Sequence, residues 1–511
     1  MVRRMPTPAE TRVPLPAETF SEARHGRFLS LSGDVNPLHA DVDGARRLYF
    51  GQRVVHGMHL TLWALDTLAA ADPLMAPPAT LEARFERPVF VGERVTLTYT
   101  RSELTLSIGT LRVTTIRFTP GTPVDGVAAP AAGARPESPP ADAPTPAAGA
   151  RPESAPDRAI DSLVDATGTF DTFVDPDTAA ALFPGLWATL GPDAAQTLVG
   201  RLCALSRVVG MDCPGRRALF SSARLAGLDA GGRGVGTYTV ERVRPHLSMV
   251  DLSVAEPDGG LSGVLRTFVI PPAPPFERHD LAHAVAPGRY AHVRALVIGG
   301  SRGLGAISAR ILAAGGASVR LTYRTGRAEA DAVVDACGAG AGALPYDVDH
   351  AAEPQLETLG HGPGAWSPTH VLYFATPRIF GRRADPFDAE RFEGFVRCYV
   401  QDFARLVEAL VGRYGDTLAF FNPSSTALDS PVLELTEYAA AKAAAEQLSV
   451  QLARRYPRAR FVSDRLPRIE TDQTISLVDV PAADAVQVLL GVLAHLVDSS
   501  PPTPPAGAPT P

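Results

Sequence analysis

The chain has 511 residues, of which 45% are hydrophobic and 20% charged, and a formal net charge of −7. Because single cores rarely grow beyond about 250–300 residues, this length predicts two or three domains. The mild charge and the lack of a dense basic block argue against nucleic acid or a membrane surface as partner. The chain begins without an apolar secretion segment, and the apolar run Val486–Val497 is too short to span a bilayer, so we expect a cytoplasmic protein. Its four cysteines lie far apart without CxxC spacing, which argues against disulfides and a metal site.

Two segments are dominated by Pro, Ala and Gly. Residues 121–159 contain AAGARPES twice, at 131–138 and 147–154, and residues 498–511 end in PPTPPAGAPTP. Such segments bury too little apolar surface to offset their conformational entropy. We interpret the first as a flexible linker and the second as a disordered tail.

The remaining chain falls into three blocks. Residues 1–120 start with a loop-rich stretch, followed by a predicted helix at Gly57–Ala71 and four predicted strands. Residues 160–275 repeat that order, with a helix around Asp193–Val209 before another four strands. Residues 290–497 alternate short apolar strands with helical patterns, which is typical of a parallel, doubly wound sheet.

A cluster of polar residues lies in the sequence SGDVNPLHAD of the first block. Asp34, Asn36 and His39 share a Gly/Pro-rich loop, and a helix is predicted to begin at Gly57. A carboxylate next to an imidazole suits general acid–base chemistry, and free N–H groups at a helix start can bind a developing oxyanion. Taken alone, an Asp and a His five residues apart more often only stabilise a turn.

The wider pattern is more specific. SGDVNPLHAD, then VVHGM and RFERPVFVGERV, resembles the MaoC-like (R)-specific enoyl-thioester hydratases over about 90 residues. The resemblance implies an α+β hot-dog fold in which Asp34 and His39 form the catalytic pair. It also implies that Asn36 shapes the loop and that the Gly57 N–H serves as oxyanion donor. His25, His56 and His59 are interpreted as structural or pocket-lining residues.

Residues 160–275 contain no equivalent of the Asp–His loop, only MDCPG at 211–215 and an isolated His246. By analogy with fused double hot-dog members of the family, we expect this block to be a second, non-catalytic hot-dog domain. The alternative is an unrelated α+β module.

The third block opens with a predicted strand, Arg294–Ile298, and the glycine-rich sequence GGSRGLG. Glycines in such a turn let the backbone approach a pyrophosphate at a helix N-terminus. The predicted cofactor-binding residues here are Gly299, Ser301, Arg302, Gly303 and Gly305.

The next strand ends in Arg324, where an NAD-selective enzyme usually places an acid. Together with Arg302 it suits the extra 2′-phosphate of NADPH, although both could be ordinary surface arginines. Asp347, at the end of the following strand, is a candidate adenine contact.

A second catalytic set lies in FFNPSSTALDSPVLELTEYAAAKAAAEQL. Tyr438 and Lys442 are four residues apart on a predicted helix and therefore share one face. A nearby ammonium is expected to lower the pKa of the Tyr438 phenol, and Ser425 can bind a substrate carbonyl. A lone Tyr–Lys pair at this spacing is usually a surface pair.

With the glycine turn, these residues resemble the short-chain dehydrogenase/reductase family over some 180 residues, which implies a Rossmann-type fold. By that resemblance Tyr438 is the acid, Lys442 binds the nicotinamide ribose, and Ser425 orients the carbonyl. The sequence also departs from the family. Its Asn-Asn-Ala-Gly is replaced by Tyr373 to Thr376, its relay Asn by Tyr399, and its Pro-Gly by Pro467-Arg468.

The two resemblances together predict a bifunctional enzyme that reduces a 3-ketoacyl thioester with NADPH and then dehydrates the product. The expected partners are acyl-CoA or acyl carrier protein thioesters and further copies of the chain. One alternative is the reverse, β-oxidation direction with hydration and oxidation. Another is an active dehydratase with a non-catalytic nucleotide-binding domain.

Overall fold

The structure is a computed structural model that describes residues 12–121, 154–232, 234–272, 281, 283–359, 366–380, 387–478 and 480–498. Most of the predicted linker and tail lie outside these residues. The chain divides into two compact units. The first unit comprises Met1–Pro272 with Ser476–Asp479, and the second comprises Ala273–Ile475 with Val480–Pro511.

The first unit contains two repeats of strands and helices. In the first repeat the elements are β1 (Val13–Thr19), α1 (Glu22–Ser32), α2 (Pro37–Ala40), α3 (Val42–Arg46), α4 (Gly57–Ala71), β2 (Pro78–Phe85), β3 (Arg94–Thr100), β4 (Glu103–Ile108) and β5 (Leu111–Pro120). In the second repeat they are β6 (Thr167–Asp171), α5 (Pro176–Leu182), α6 (Pro184–Leu190), α7 (Pro192–Arg207), a π-helical turn (Val208–Asp212), β7 (Ala218–Ala226), β8 (Val235–Arg244), β9 (Met249–Ala255) and β10 (Ser262–Val269).

All ten strands form one antiparallel sheet in the order β1-β3-β4-β5-β2-β7-β10-β9-β8-β6. Numbered within its own repeat, each half has the order 1-3-4-5-2. The halves meet through β2 and β7, which pair antiparallel about Glu82 and Arg224. The two halves are therefore related by an approximate twofold axis through this pair.

The predicted helix Gly57–Ala71 forms at the expected residues, and it is apolar on nearly all sides. Its buried residues include Met58, Leu62 and Trp63, which belong to one core shared by both repeats. Because α4 is apolar on nearly all sides, other elements of the unit must pack against it on nearly all sides.

The expectation of a loop-rich start to the first block was wrong. Residues 13–19 form β1 and residues 22–32 form α1. Pro14 and Pro16 weaken the strand pattern, but β1 is an edge strand that pairs only with β3, and proline is tolerated at an edge.

The second unit has the alternating strands and helices of a doubly wound fold. Its elements are β11 (Arg294–Ile298), α8 (Gly303–Ala314), β12 (Ser318–Tyr323), α9 (Arg327–Cys337), β13 (Gly342–Pro345), α10 (Ala352–Gln355), β14 (His370–Tyr373), α11 (Ala389–Val396), a π-helical turn (Arg397–Asp402), α12 (Phe403–Tyr414), β15 (Ala419–Phe421), β16 (Ser424–Ser425), α13 (Thr436–Arg455), β17 (Arg460–Val462), β18 (Arg465–Leu466) and α14 (Ala485–Asp498).

Six of these strands form a parallel sheet in the order β13-β12-β11-β14-β15-β17, which is 3-2-1-4-5-6 within the sheet. Along β11, Ala295 and Val297 join one core while Leu296 and Ile298 join the other. The sheet is thus buried on both faces, as a parallel sheet covered by helices requires. The predicted parallel, doubly wound sheet is confirmed.

In this strand order the direction of winding reverses between β11 and β14. Ligands of open α/β sheets bind in the crevice at the carboxyl ends of the two strands that flank such a reversal. The glycine turn follows β11 and residues 374–376 follow β14, so the fold places both at that crevice.

Candidate functional sites

The first site is the loop between α1 and α2. Helix α1 ends at Gly33, whose φ of 66° turns the chain sharply. Asn36 then caps α2, because its Oδ1 accepts a hydrogen bond from the Leu38 N–H at 2.9 Å. Its Nδ2 donates to the carbonyl oxygens of Gly210 and Gly215, at 2.8 and 3.1 Å. Asn36 therefore ties the loop to the second repeat.

The Asp34 carboxylate is buried, with 2% of the residue exposed. Its Oδ2 accepts from the Ser206 hydroxyl at 2.7 Å, and its Oδ1 lies 3.4 Å from the Asn36 N–H. Burial raises the pKa of Asp34, while the nearby His39 and the Ser206 hydrogen bond oppose that rise. The environment therefore favours the protonated carboxyl more than water does.

His39 is half-buried, and its orientation is fixed by the backbone. Its Nδ1 lies 2.6 Å from the carbonyl oxygen of Val54. A carbonyl oxygen only accepts, so Nδ1 carries the hydrogen and a neutral His39 has its lone pair on Nε2. His39 can therefore accept a proton at Nε2.

His56 stacks against His39 with 3.7 Å between the ring centroids. Its Nε2 donates to the Asp34 carbonyl oxygen at 2.9 Å, and burial lowers its pKa well below the usual value. Side-chain ligand atoms of Asp34, His39 and His56 all lie within 4.8 Å of one another. A neutral His56 thus packs against Asp34 and His39 without adding positive charge beside them.

The other two histidines of this region lie behind the pair. His25 donates from Nε2 to the His39 carbonyl oxygen at 2.9 Å, and burial lowers its pKa to about 4. His59 stacks on Phe28 with 4.3 Å between centroids. These contacts agree with the structural role that the sequence predicts for them.

Gly57 is the first residue of α4, so its N–H has no acceptor within the helix. A Cβ at this position would lie 2.7 Å from the Phe85 ring. Glycine is therefore required for the close approach of Phe85 to the helix start.

The second repeat contributes to this site, which the sequence analysis missed. Ser206 bonds the Asp34 carboxylate, and a Cβ on Gly210 would lie 2.1 Å from Asp34 Oδ1. These residues are more than 170 positions from Asp34 in sequence. The motif MDCPG overlaps the turn whose Gly215 binds Asn36, but nothing local in the sequence indicates that contact.

The glycine turn of the second unit has the conformation that a close backbone approach needs. Gly299 and Gly303 have φ values of 75° and 55°. A Cβ on Gly299 would lie 2.7 Å from the Ala375 nitrogen, and one on Gly305 would lie 2.3 Å from the Gly299 carbonyl oxygen. Helix α8 begins at Gly303 with its first N–H groups available, so the turn suits the pyrophosphate of a dinucleotide.

The two arginines predicted to bind a 2′-phosphate have acidic neighbours. Arg302 Nη1 lies 2.8 Å from the Asp472 carboxylate. Arg324 is largely exposed and lies 3.9 Å from Asp347 and 3.8 Å from Asp349. Arg324 is thus the more accessible cation, and Asp347 lies beside it at the end of β13.

Tyr438 and Ser425 lie together at the carboxyl edge of the sheet. Ser425 ends β16 and its Oγ accepts from the Ala427 N–H at 3.2 Å. Tyr438 is 8% exposed. Burial raises the pKa of its phenol, and the hydrogen bond with Ser425 opposes that rise.

The expectation that Lys442 lowers the pKa of Tyr438 was wrong in this structure. The Lys442 Nζ donates to the Pro423 carbonyl oxygen at 2.7 Å and lies 3.7 Å from the centroid of the Tyr399 ring. It is 5.9 Å from the Tyr438 ring centroid. The ammonium therefore acts mainly on the Tyr399 ring.

Lys442 is the single lysine of the chain, beside 47 arginines. Arginine occupies the other cationic positions, so the compact ammonium of Lys442 is an exception in this chain. This compositional signal was available in the sequence and points to position 442 more strongly than the spacing does.

Comparison with known proteins locates one family in the chain. Residues 4–116 match the MaoC like domain, a stretch that includes Asp34, His39 and Gly57. None of the curated proteins matches the chain in sequence.

Several solved structures are similar to 36–42% of the chain. A short chain dehydrogenase from Burkholderia cenocepacia J2315 in complex with NADP is 23% identical, covering 41% of this chain and 91% of its own, with a TM-score of 0.36. The angucycline C-6 ketoreductase LanV with bound NADP is 20% identical, with coverage of 41% and 91% and a TM-score of 0.36. The RhlG/NADP complex from Pseudomonas aeruginosa is 21% identical, with coverage of 36% and 77% and a TM-score of 0.32.

Among the described residues, no helix is long and apolar enough to cross a membrane. Residues 4–116 are thus similar to the MaoC like domain, and the second unit is a doubly wound sheet with a glycine-rich turn after its first strand.

Proposed function

We propose that the chain is a bifunctional acyl-thioester enzyme in which the second unit reduces a 3-ketoacyl thioester and the first unit dehydrates the resulting 3-hydroxyacyl thioester. The substrate is carried by coenzyme A or an acyl carrier protein. The observation that carries the proposal is the apposition of a buried Asp34 carboxyl and a His39 whose free nitrogen is Nε2.

In the dehydration step His39 is the base and Asp34 the acid. His39 Nε2 accepts the proton from C2, and the electron pair of that C–H bond forms the C2–C3 double bond. The C3–O bond breaks, and the protonated Asp34, favoured by burial, donates its proton so that the hydroxyl leaves as water. The Gly57 N–H stabilises the charge that develops on the thioester oxygen.

In this proposal the first unit is a double hot-dog whose second repeat holds the catalytic loop in place. Both repeats have the strand order 1-3-4-5-2, and the second repeat binds Asp34 and Asn36 through Ser206, Gly210 and Gly215. The second repeat thus acts as a scaffold for the first.

In the second unit the glycine turn would hold NADPH through the backbone N–H groups at the start of α8, and the Arg324 guanidinium would bind its 2′-phosphate. When bound, NADPH supplies the hydride that reduces the C3 carbonyl. Ser425 orients the carbonyl oxygen, and Tyr438 donates its phenolic proton to that oxygen. Lys442 binds the nicotinamide ribose.

The test separates the two steps by substitution. Asp34→Asn keeps the shape of the carboxyl but cannot donate its proton, so we expect enoyl-thioester hydration to fall by about 10²–10⁴-fold with the reductase unaffected. Asp66→Asn is the matched control, because Asp66 is also buried in the first unit but bonds the Leu186 N–H. Equal loss in both variants would refute the assignment.

For the reductase, Tyr438→Phe removes the proton donor and leaves the ring in place. We expect NADPH oxidation with a 3-ketoacyl thioester to be lost while NADPH binding and hydration persist. NADPH binding without any ketone reduction by the unaltered chain would instead favour a nucleotide-binding scaffold.

A further inference from the structure

Lys442 occupies an unusual setting for a charged group. It is 5% exposed, and among the described residues no carboxylate lies within ion-pair distance of it. Its contacts are the Pro423 carbonyl oxygen and the Tyr399 ring at 3.7 Å. Burial lowers its pKa to about 8. Something other than an ion pair must therefore stabilise the ammonium.

Among the described residues, the tyrosines and the cysteine beside Lys442 do not supply a negative charge near neutral pH, and the Asp402 carboxylate, in the same turn as Tyr399, accepts hydrogen bonds from the Tyr373 and Tyr346 hydroxyls. Burial raises the pKa values of Tyr399, Tyr438 and Cys398, so all three are neutral there. On its own helix, Glu437 accepts from the Asp388 N–H and Glu446 pairs with Arg465. Among the described residues, the Pro423 carbonyl oxygen and the face of the Tyr399 ring are therefore the negative potential that the ammonium contacts.

The structure holds Tyr399 firmly in this position. It lies in the π-helical turn Arg397–Asp402, and the Asp402 carboxylate accepts hydrogen bonds from the Tyr373 and Tyr346 hydroxyls, at 2.7 and 3.0 Å. The turn is thereby fixed to residues at the ends of β13 and β14.

The Tyr399 side chain is also fixed at both ends. Its ring stacks on Phe395 with 5.7 Å between centroids, and its hydroxyl lies 2.5 Å from Thr376 Oγ1. Thr376 Oγ1 donates to the Pro377 carbonyl oxygen, so the Tyr399 hydroxyl is the donor to Thr376. The Tyr399 hydroxyl is thus bonded to Thr376 rather than to Lys442, and the ammonium contacts the face of the ring.

We propose that Tyr399 is a positioning residue for Lys442. The face of the Tyr399 ring stabilises the Lys442 ammonium and keeps it beside Tyr438. Electrostatic attraction between a desolvated cation and an aromatic face is strong enough for this role. Replacing the aromatic ring of Tyr399 with an aliphatic side chain shifts the acid–base equilibrium of Lys442 toward the neutral amine. The consequence for catalysis rests on the proposed reductase function, whereas the effect on Lys442 itself does not.

The single lysine makes the test direct. In the full chain labelled with ¹³Cε,¹⁵Nζ-lysine, the side-chain resonances come from Lys442 alone, and their pH titration gives its pKa without substrate. We expect Tyr399→Leu to lower the titration midpoint by about one pH unit, and Tyr399→Phe, which keeps a ring face, to change it little.

A graded series of aromatic rings at position 399 separates the effect of the ring face from an effect of misfolding. Mono- and trifluorinated phenylalanine at position 399 keep the ring's size while weakening its negative face, and we expect the midpoint to fall stepwise. The same residues at Phe420, a buried ring stacked on Phe461, are the control and should leave the midpoint unchanged. A midpoint that does not follow the fluorine series, or that rises in Tyr399→Leu, overturns the proposal.

Reductase kinetics provide the second readout. A midpoint lowered by about one pH unit reduces the ammonium fraction by up to about tenfold at pH values above the midpoint, so kcat should fall there and recover at lower pH. If the midpoint follows the ring series but no ketone is reduced by the unaltered chain, the reductase function fails and the Tyr399 assignment stands. If ketones are reduced but the midpoint ignores the ring, the assignment alone fails.

Discussion

At the residue scale, the catalytic assignment depends on which atoms are free to react. The Val54 carbonyl fixes the hydrogen of His39 on Nδ1, and the Asp34 carbonyl fixes that of His56 on Nε2. These two backbone acceptors set the tautomers in a site where three imidazoles lie close together. In the proposed dehydration the proton-accepting atom is therefore His39 Nε2.

Ser206 hydrogen-bonds the carboxyl of Asp34, the proposed acid. Its hydrogen bond favours the ionised Asp34, so Ser206→Ala should raise the pKa of Asp34 further. Because dehydration needs the protonated acid, the fall in activity at high pH should move to higher pH. Activity at its optimum should fall by about tenfold, since the carboxyl loses its orienting bond. The measurement is the pH dependence of kcat/KM for dehydration.

Thr197→Ala is the matched control for that experiment. Thr197 lies on the same helix, and its hydroxyl bonds the Asp193 carbonyl oxygen rather than the catalytic loop. A pH profile that shifts equally in both variants, or in neither, would contradict the role given to Ser206.

At the element scale, close approach requires a glycine in the turn that follows α7. Gly210 belongs to the π-helical turn after α7, and an added Cβ would lie 2.1 Å from Asp34 Oδ1. We expect Gly210→Ala to displace the carboxylate and to reduce hydration by about 10²-fold, as misplacement by about 1 Å can do. Hydration kinetics and thermal unfolding together measure this. Gly26→Ala, in α1 with no atom within 4 Å of the added Cβ, should leave hydration unchanged.

The glycine turn after β11 gives the corresponding prediction for the second unit. A Cβ on Gly305 would lie 2.3 Å from the Gly299 carbonyl oxygen, so Gly305→Ala should open the turn. We expect NADPH affinity, measured by fluorescence titration, to fall at least about tenfold while hydration is kept. Gly412→Ala in α12, where the added Cβ meets nothing within 4 Å, is the control. Unchanged NADPH affinity in Gly305→Ala would argue against the turn as the cofactor site.

The elements themselves were largely predictable, and the exceptions have physical causes. Helix α4 was predicted at its observed bounds because it is a long apolar run with a glycine start. Strands β1 and β6 were missed because edge strands pair on one side only and tolerate proline or a polar pattern. The helix around Asp193–Val209 ends at Arg207, where the π-helical turn begins.

The candidate site was predictable only where its residues are close in sequence. Asp34, Asn36 and His39 lie within six residues of sequence, although His39 is in the short helix α2 rather than in the predicted loop, and Ser425, Tyr438 and Lys442 lie in one segment of the second unit. Ser206 and Gly210 reach Asp34 through tertiary structure alone, which local spacing does not encode. The placement of Lys442 over Tyr399 depends on a π-helical turn held by Asp402, which no periodicity in the sequence indicates.

At the scale of the whole molecule, the proposed successive reactions belong to two compact units of one chain. The product of the proposed reductase is the substrate of the proposed dehydratase, so covalent linkage raises the local concentration of the intermediate. The two alternatives predict a different fate for the cofactor. In the reversed, oxidative direction the cofactor is reduced, and in a nucleotide-binding scaffold it is bound without being turned over.

The most direct test is turnover of a short 3-ketoacyl thioester by the full chain, with NADPH or NADH, following cofactor absorbance and product mass together. We predict NADPH oxidation with formation of the enoyl thioester, and accumulation of the 3-hydroxyacyl thioester in Asp34→Asn. If NADPH is not consumed while an enoyl thioester is still hydrated, the second unit is not a reductase and the central claim is contradicted.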